Sequence, residues 1–192
     1  MSKKIILASK SPRRHDILKE AGFDFEIITK ETDESFLPGL SMAEIPIYIA
    51  QQKAYAVKEN LCDDNLIIAS DTIVTIDEKV LGKPTDANDA AKMLETLSGK
   101  WHQVVTGVCV LTTKTEETFS VTTHVLFKEL NAEEISYYIE HHKPYDKAGS
   151  YAIQEWIGMN KIEKIDGCYF NVVGLPMSKL YDVLKARIRN SE

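Results

Sequence analysis

A run of four apolar residues, 66–69 (LIIA), constrains the fold more than any other feature of the chain. A strand that faces water on one side alternates apolar and polar residues, whereas a strand buried on both faces is apolar throughout. The run therefore predicts a strand buried inside a sheet. Asp71 lies just past the predicted end of this strand.

Helical and extended segments alternate early in the chain, and extended segments dominate its middle. Apolar or alternating patterns predict further strands over 4–8, 23–28, 73–76, 103–112 and 118–127, and a hairpin over 162–165 and 169–173 around an Asp-Gly turn. Start and stop signals predict helices from Ser11 to Gly22 and over 49–57, 87–97, 131–141 and 176–189. This order predicts an α/β or α+β protein around a mixed sheet.

The chain length, the net charge and the absence of several known motifs exclude some classes of function. The 192 residues suffice for one large domain or two small lobes. The net charge of −6 argues against a general nucleic-acid binder, which needs a basic surface, but permits one basic pocket for a small anion. The chain has no Walker loop and no GxGxxG, HExxH or GxSxG motif, so any nucleotide chemistry is not of the Walker kind.

The cysteines and the lack of long apolar segments indicate a cytoplasmic protein. Cys62, Cys109 and Cys168 are far apart and odd in number, which fits neither a disulfide framework nor a zinc site. Such thiols are typical of a reducing compartment. The N-terminus lacks the apolar core of a signal peptide, and no run has the length of a membrane span. We therefore expect a cytoplasmic location and no membrane partner.

The segment 9–14 (SKSPRR) places two cations where a helix disfavours them. Ser11 is a favourable N-cap and Pro12 is a favourable first helical residue. Arg13 and Arg14 therefore fall in the first turn, at the positive end of the helix dipole. The unfavourable interaction disappears if an anion binds there.

This helix start has the donors that a phosphate group needs. Backbone N–H groups at a helix N-terminus bind anions, and guanidinium groups suit phosphate oxygens. Ser9 and Ser11 add hydroxyl donors. The segment predicts a phosphate site, and the alternative is a pair of surface arginines with Asp16 as a local partner of Arg13.

Asp71 and Thr72 are candidate site residues because ligands bind beyond the carboxyl ends of strands in open sheets. Asp71 can hold a divalent metal or act as a general base on water. The alternative is an aspartate that only forms a turn. Asp33 and Glu34, in a polar loop, either share this site or belong to a solvated acidic loop.

Two lysines are candidate phosphate ligands. Lys53 interrupts an apolar helical stripe between Ile49 and Val57, so its ammonium group either reaches water or enters a pocket. Lys83 lies in a rigid Gly-Lys-Pro turn. The alternative for each is an ordinary surface lysine.

A glutamine ends the segment 146–154 (DKAGSYAIQ). We expect Gln154 to be buried at the end of a strand, where its amide offers one donor and one acceptor to the edge of a base. A structural glutamine that bonds to the backbone fits the sequence equally well.

Eight segments occur in order and span nearly the whole chain. They are SKSPRR (9–14), TDES (32–35), QQKA (51–54), ASDTIV (69–74), GKPTDA (82–87), LSGKWHQVVTGV (97–108), DKAGSYAIQ (146–154) and GCYFNVVGLP (167–176). Together they resemble the Maf family, described as nucleoside triphosphate pyrophosphatases and historically linked to septum formation. The combination of SxSPRR, SDT and DKAGxYxIQ is highly specific.

The resemblance implies an elongated α/β fold, with a mixed sheet and flanking helices in two lobes around a cleft, similar to inosine triphosphate pyrophosphatases. It implies a single Maf-like domain over 1–192 that hydrolyses a nucleoside triphosphate to the monophosphate and pyrophosphate with Mg²⁺ or Mn²⁺. It also implies a nucleotide as the small-molecule partner and a homodimer. Thr72 and Gln154 resemble the branch that acts on dTTP and UTP rather than the branch that acts on 7-methyl-GTP.

The resemblance also implies a role for each candidate residue. Asp71 is the expected catalytic residue and, with Glu34, the expected metal ligand. The expected base-selecting residues are Arg13, Thr72 and Gln154, and the expected phosphate ligands are Ser9, Ser11, Arg13, Arg14, Lys53 and Lys83. The chain departs from the family at Glu155, where many members have glycine, and this places an extra carboxylate beside the predicted base contact.

Two alternative functions remain open at this point. One is hydrolysis of a modified pyrimidine nucleotide by the same reaction, as a house-cleaning enzyme. The other is a nucleotide sensor without catalytic activity that acts on cell division through a protein partner. The presence of Asp71, Lys53 and Lys83 together favours catalysis, because a sensor has no need of a base.

Overall fold

The computed structural model describes residues 4–63 and 65–189, which form helices flanking a seven-stranded sheet. The strands are β1 (Lys4–Leu7), β2 (Phe25–Ile27), β3 (Asn65–Ile76), β4 (Lys79–Leu81), β5 (Trp101–Leu111), β6 (Glu116–Phe127) and β7 (Ile162–Asp166). The helices are α1 (Pro12–Glu20), α2 (Glu44–Ala56), α3 (Ala87–Leu97), α4 (Ala132–His142), α5 (Trp156–Lys161), α6 (Tyr169–Val173) and α7 (Met177–Arg189).

The sheet is mixed, as predicted. Its strand order is β2-β1-β3-β5-β6-β7, and β4 pairs with β3 outside this path. β1 runs parallel to both β2 and β3, whereas the β3–β4 and β6–β7 pairs are antiparallel. Every residue of β3 except Thr72 is buried, which confirms the strand predicted from the 66–69 run. The α/β prediction is therefore confirmed.

The chain divides into two compact units. Unit 1 comprises Met1–Asp71, Thr106–Val121 and Gly174–Glu192, and unit 2 comprises Thr72–Val105 and Thr122–Val173. The chain passes from unit 1 to unit 2 between Asp71 and Thr72, within β3. The two units agree with the expectation of two lobes, and the role of 1–192 as one functional domain stays a prediction.

Each unit has its own apolar core. In unit 1, small residues of α2 such as Ala50 and Ala54 pack with Ile6 of β1 and Ile67 of β3. In unit 2, α3 buries one stripe, and the residues of that stripe are Ala90, Leu94 and Leu97. Their spacing of three and four residues is that of one helix face. No helix of the described residues is long and apolar enough to span a membrane.

Capping contacts confirm the predicted starts of α3 and α4, whereas α2 begins at Glu44, before the predicted 49–57. The Asp86 Oδ1 atom accepts a hydrogen bond from the Asp89 N–H at 2.8 Å at the start of α3. Asn131 and Glu134 form a reciprocal capping box at the start of α4. Gly22 follows α1 with a φ of +83°, a conformation that favours glycine at a helix end.

The predicted hairpin over 162–165 and 169–173 is wrong in its second half. β7 pairs with β6, but Tyr169–Val173 is helix α6. The reason is a tertiary anchor, because the buried Asn171 amide donates to the Val104 carbonyl and to the Thr123 hydroxyl, both at 3.0 Å. These bonds hold the segment against β5 and β6 in a conformation that its two aromatic residues and two valines do not favour.

We predict that Gly107→Ala lowers the free energy of unfolding by about 3 kcal/mol, because it overpacks the contact between β5 and the start of α2. A Cβ at this position would lie 2.3 Å from the backbone nitrogen of Ile47 and from the carbonyl carbon of Pro46. Gly82→Ala is the matched control, since a Cβ there meets nothing within 4 Å. Urea denaturation of both variants measures the difference, and equal stabilities would contradict the prediction.

Candidate functional site

The loop between β1 and α1 is organised around the Ser9 hydroxyl. Its oxygen accepts hydrogen bonds from the Ser11 N–H at 3.2 Å and from an Arg14 Nη1–H at 3.4 Å. Ser11 occupies the N-cap position, as predicted, but its side chain makes no capping bond. Ser9 is therefore the residue that links the helix start to the arginine, and its hydroxyl hydrogen can still be donated to a ligand.

Arg14 is fixed in place rather than extended into solvent. Its Nε–H donates to the Gly174 carbonyl at 2.8 Å. Burial lowers the pKa of this guanidinium, the charge of Asp71 acts in the opposite direction, and Arg13 adds to the lowering. The Glu34 charge also favours the charged form. Arg14 is thus electrostatically coupled to both predicted metal ligands, within unit 1.

Asp71 lies within a strand, not after one. The prediction that it follows the end of a strand is wrong, because β3 continues without a break to Ile76. The parallel pairing with β1, however, ends at Leu7 opposite Ile68. Asp71 therefore lies three residues beyond the last pair of the parallel ladder, at the end of the ladder where the topology favours ligand binding.

The Gly174 carbonyl connects the two predicted motifs, and sequence reasoning missed it. It accepts from Arg14 and also from the Ser70 hydroxyl, at 3.5 Å. A backbone acceptor leaves no trace in side-chain chemistry. The signal available was the Gly-Leu-Pro end of the 167–176 segment, which was used only as a family feature.

Lys53 joins the two predicted metal ligands. Its Nζ atom lies 2.6 Å from Asp71 Oδ1 and 2.8 Å from Glu34 Oε1. The side chains of Lys53 and Asp71 are only 16% and 12% exposed, whereas that of Glu34 is 42% exposed. Of the two alternatives for Lys53, the structure does not support an ammonium group that extends into solvent, because this group pairs with two carboxylates and its side chain is mostly buried.

The loop that carries Glu34 is ordered by its neighbours. The Asp33 carboxylate accepts hydrogen bonds from the Ser35 N–H at 2.9 Å and from the Ser35 hydroxyl at 2.8 Å. These bonds lower the pKa of Asp33. Asp33 and Ser35 also line an open cavity of about 440 Å³ together with residues of α2, and this volume suits a small molecule.

The carboxylates of Asp71 and Glu34 fit a divalent metal that is shared with a phosphate ligand. Both already point at one cation, the Lys53 ammonium group. Mg²⁺ is commonly held by one or two carboxylates plus substrate phosphates. Among the described residues, no group of three or more His, Cys, Asp or Glu side chains could hold a metal ion by itself. The two carboxylates are therefore at most part of a donor set, which phosphate oxygens of a ligand would complete.

Three predicted site residues, Thr72, Lys83 and Gln154, belong to unit 2. Thr72 is half-buried in β3, and Lys83 is exposed in the turn after β4. The Gly149 N–H donates to the Gly82 carbonyl at 3.0 Å, so the turn that carries Lys83 is tied to the 146–154 segment.

Gln154 is exposed in a turn before α5, and the expectation of a buried residue at a strand end is wrong. The side chains of residues 151–153 are buried, but the backbone then turns, with the Glu155 N–H donating to the Ala152 carbonyl at 3.1 Å. An exposed amide remains available to a ligand. The roles of Arg13, Thr72 and Gln154 in base selection stay predictions.

Sequence comparisons with known proteins indicate one family. The sequence profile of the family described as Maf-like protein matches residues 4–187. A protein of Parabacteroides distasonis named dTTP/UTP pyrophosphatase is 49% identical over 183 residues, which are 95% of each chain. A protein of Phocaeicola vulgatus with the same name is 51% identical over the same shares. The Staphylococcus aureus Ham1 structure aligns over 65% of this chain and 72% of its own, with 16% identity and a TM-score of 0.47.

We predict that Lys53→Met lowers the free energy of unfolding by about 2 kcal/mol, because it leaves two carboxylates near each other without their cation. Adding Asp71→Asn to this variant should restore part of the loss, since only one charge then remains. The measurement is urea denaturation of the single and double variants without divalent metal.

Lys30→Met is the control for this prediction. Lys30 binds Glu59 at the same 2.6 Å, but the two side chains are 47% and 70% exposed. An exposed ion pair contributes only about 0–1 kcal/mol. An equal decrease in the free energy of unfolding for Lys30→Met and Lys53→Met would contradict the prediction that the sheltered Lys53 ion pairs contribute more than an exposed pair.

Proposed function

The chain belongs to the Maf family, and from this we propose that it hydrolyses dTTP and UTP to the nucleoside monophosphate and pyrophosphate. The names of relatives about half identical over 95% of both chains support the substrates. The observation that carries the proposal is the convergence of Asp71 and Glu34 on Lys53 in unit 1. A paired base and cation are what phosphoryl transfer to water requires.

The triphosphate binds at the cationic start of α1. Arg14 is held by Gly174 and Ser9, so its guanidinium group is oriented before the substrate arrives. Arg13, Ser9 and Ser11 add donors on the same turn, and the helix N-terminus adds its own partial positive charge. Lys53 supplies further positive charge for the phosphates. Lys83 belongs to unit 2, and its role as a phosphate ligand stays a prediction. Preorganised donors of this kind cost little reorganisation during the reaction.

Asp71 orients and deprotonates the attacking water. The water oxygen forms a bond to the α-phosphorus, the bond from that phosphorus to the bridging oxygen breaks, and pyrophosphate leaves with the electron pair. The proton passes from water to the Asp71 carboxylate and then to solvent. Lys53 keeps this carboxylate oriented through its 2.6 Å contact, and the arginines offset the charge that develops on pyrophosphate.

Asp71 and Glu34 are the residues that would hold Mg²⁺ or Mn²⁺. Such an ion, when bound, neutralises phosphate charge and polarises the phosphoryl oxygens. Lys53 then has a second task, since its ammonium group keeps the two carboxylates close to each other before the metal and the substrate bind.

Base selection is the proposed task of Thr72, Gln154 and Arg13. Gln154 is exposed, and its amide has the donor and acceptor that distinguish a pyrimidine edge. We further propose a single functional domain, a cytoplasmic location, a homodimer, and no nucleic-acid or membrane partner. The net charge of −6 supports the absence of nucleic acid as a partner. A link to cell division stays a prediction.

We predict that Asp71→Asn retains the fold and lowers kcat by roughly 100- to 10,000-fold, the usual contribution of a general base. Pyrophosphate release from dTTP and UTP measures kcat, and circular dichroism checks the fold. Asp77→Asn, at an exposed turn after β3, is the matched control. Turnover near that of the unmodified protein by Asp71→Asn would remove Asp71 from the mechanism.

A panel of nucleoside triphosphates with Mg²⁺ or Mn²⁺ tests the substrate assignment. We expect the highest kcat/KM for dTTP and UTP, because Thr72 and Gln154 match the pyrimidine branch. A higher kcat/KM for a modified pyrimidine nucleotide would identify a house-cleaning enzyme. Activity on GTP derivatives alone would overturn the branch, and dTTP binding without pyrophosphate release would indicate a sensor.

A further inference from the structure

The carboxylate of Glu155 is the centre of a polar cluster in unit 2. Its Oε2 atom accepts a short hydrogen bond from the Tyr138 hydroxyl and lies 3.7 Å from His142 Nδ1. Its Oε1 atom lies 3.4 Å from Lys147 Nζ. One side chain therefore contacts helix α4 at two residues and the 146–154 segment at a third.

These contacts close the 147–155 segment on itself. Lys147 lies at its beginning and Glu155 at its end, and the ion pair joins them. The Tyr138 hydroxyl donates to Glu155 and accepts from the Ala152 N–H at 3.1 Å, so the segment is also held at an inner point. Burial and the Glu155 contact raise the pKa of Tyr138, which keeps its hydroxyl protonated as the donor.

Glu155 is the sheltered partner of a buried cation. The Lys147 side chain is only 8% exposed, and a buried ammonium group needs a partner because desolvation is costly. Lys147 also lies 2.8 Å from Asp146, but the Asp146 side chain is 62% exposed, whereas that of Glu155 is 22% exposed. An ion pair is weakened less by solvent when both groups are withdrawn from water.

The enclosed backbone depends on such anchors. Gly149 and Ser150 have φ values of +66° and +61°, and the latter is unfavourable for a residue with a side chain. A Cβ on Gly149 would lie 2.9 Å from the Val74 side chain, so the segment is pressed against β3. Strained backbone persists only where surrounding contacts determine it.

We infer that Glu155 is a positioning residue for base recognition: by closing the 147–155 segment through Lys147 and Tyr138, it fixes the exposed Gln154 amide for the pyrimidine. The inference rests on the proposed function, because it takes Gln154 as the residue that reads the base. Gln154 and Glu155 share one peptide bond, so a carboxylate held by the Tyr138 hydroxyl and the Lys147 ammonium group restricts the backbone that carries the amide.

The test compares Glu155→Ala, Gln154→Ala and the double variant, with steady-state kinetics on dTTP, UTP and dCTP. For Glu155→Ala we expect KM for dTTP raised about tenfold and kcat within about twofold, the pattern of a lost contact made equally in ground and transition states. The preference for dTTP over dCTP should fall in parallel. In the Gln154→Ala background, Glu155→Ala should have no further effect, because it acts through Gln154.

Two further variants make the result specific. Glu155→Gln keeps the volume and can still accept from Tyr138, but it loses the charge that pairs with Lys147, so it should show a smaller KM increase. It also supplies the test if the alanine variant unfolds, which thermal denaturation would reveal. Glu163→Ala, at an exposed position of β7, removes one negative charge from unit 2 and should leave KM and base preference unchanged.

Two outcomes would overturn the inference. One is a folded Glu155→Ala protein with KM and base preference unchanged. The other is an effect of Glu155→Ala that adds fully to that of Gln154→Ala, which would indicate a general structural role. Failure of the proposed function itself looks different, because the unmodified protein would then release no pyrophosphate from dTTP or UTP.

Discussion

The buried strand β3 is the constraint on which the rest of the structure depends. Eleven of its twelve residues are buried, so its backbone groups need partners from neighbouring strands. β1 supplies them only as far as Ile68, and the chain after β1 turns at Ser9 into α1. The predicted phosphate loop and Asp71 are therefore brought to the same end of the parallel ladder. Their proximity follows from strand pairing, although Arg14 and Asp71 are 57 positions apart in the sequence.

The ion pairs of Lys53 set the electrostatics of unit 1. Two partly sheltered carboxylates near each other would repel and would be costly to desolvate, and one ammonium group offsets both. The same arrangement suits an anionic substrate, because Arg14 nearby is already fixed and charged. The charges of Lys53, Asp71 and Glu34 offset each other without ligand. When phosphate and metal bind, the lysine can pair with phosphate and the carboxylates with the metal. The stability of unit 1 and the proposed reaction therefore depend on the same residues, Lys53, Asp71 and Glu34.

Unit 2 uses the same principle for a different purpose. There Glu155 balances the buried Lys147, and the pair closes a segment with strained backbone. In unit 1 a lysine holds two acids next to the proposed reaction, whereas in unit 2 an acid is held by a lysine and a tyrosine beside the proposed base contact. Sheltered ion pairs that join distant parts of the chain can thus fix functional side chains more firmly than exposed ones, because solvent screens them less.

Local signals predicted the elements well wherever local interactions decide the structure. Asp86 and the Asn131–Glu134 box determine helix starts through contacts three residues apart, so the sequence alone reveals them. The predicted second strand of the hairpin, 169–173, was wrong because the Asn171 amide donates hydrogen bonds to β5 and β6, which are distant in sequence. The predicted burial of Gln154 was wrong for a similar reason, since the burial of residues 151–153 does not extend to the turn that follows them.

The sequence by itself determined the family, the mixed α/β class, the buried strand and the residue types of the candidate site. Those features depend on periodicity, caps and ordered motifs, which are properties of short segments. Only the tertiary structure decided that Lys53 joins Asp71 to Glu34, that the Gly174 carbonyl links Arg14 to Ser70, and that Glu155 closes its segment on Lys147. Hydrogen bonds and ion pairs act over a few ångströms, so their partners are known only once the chain is folded.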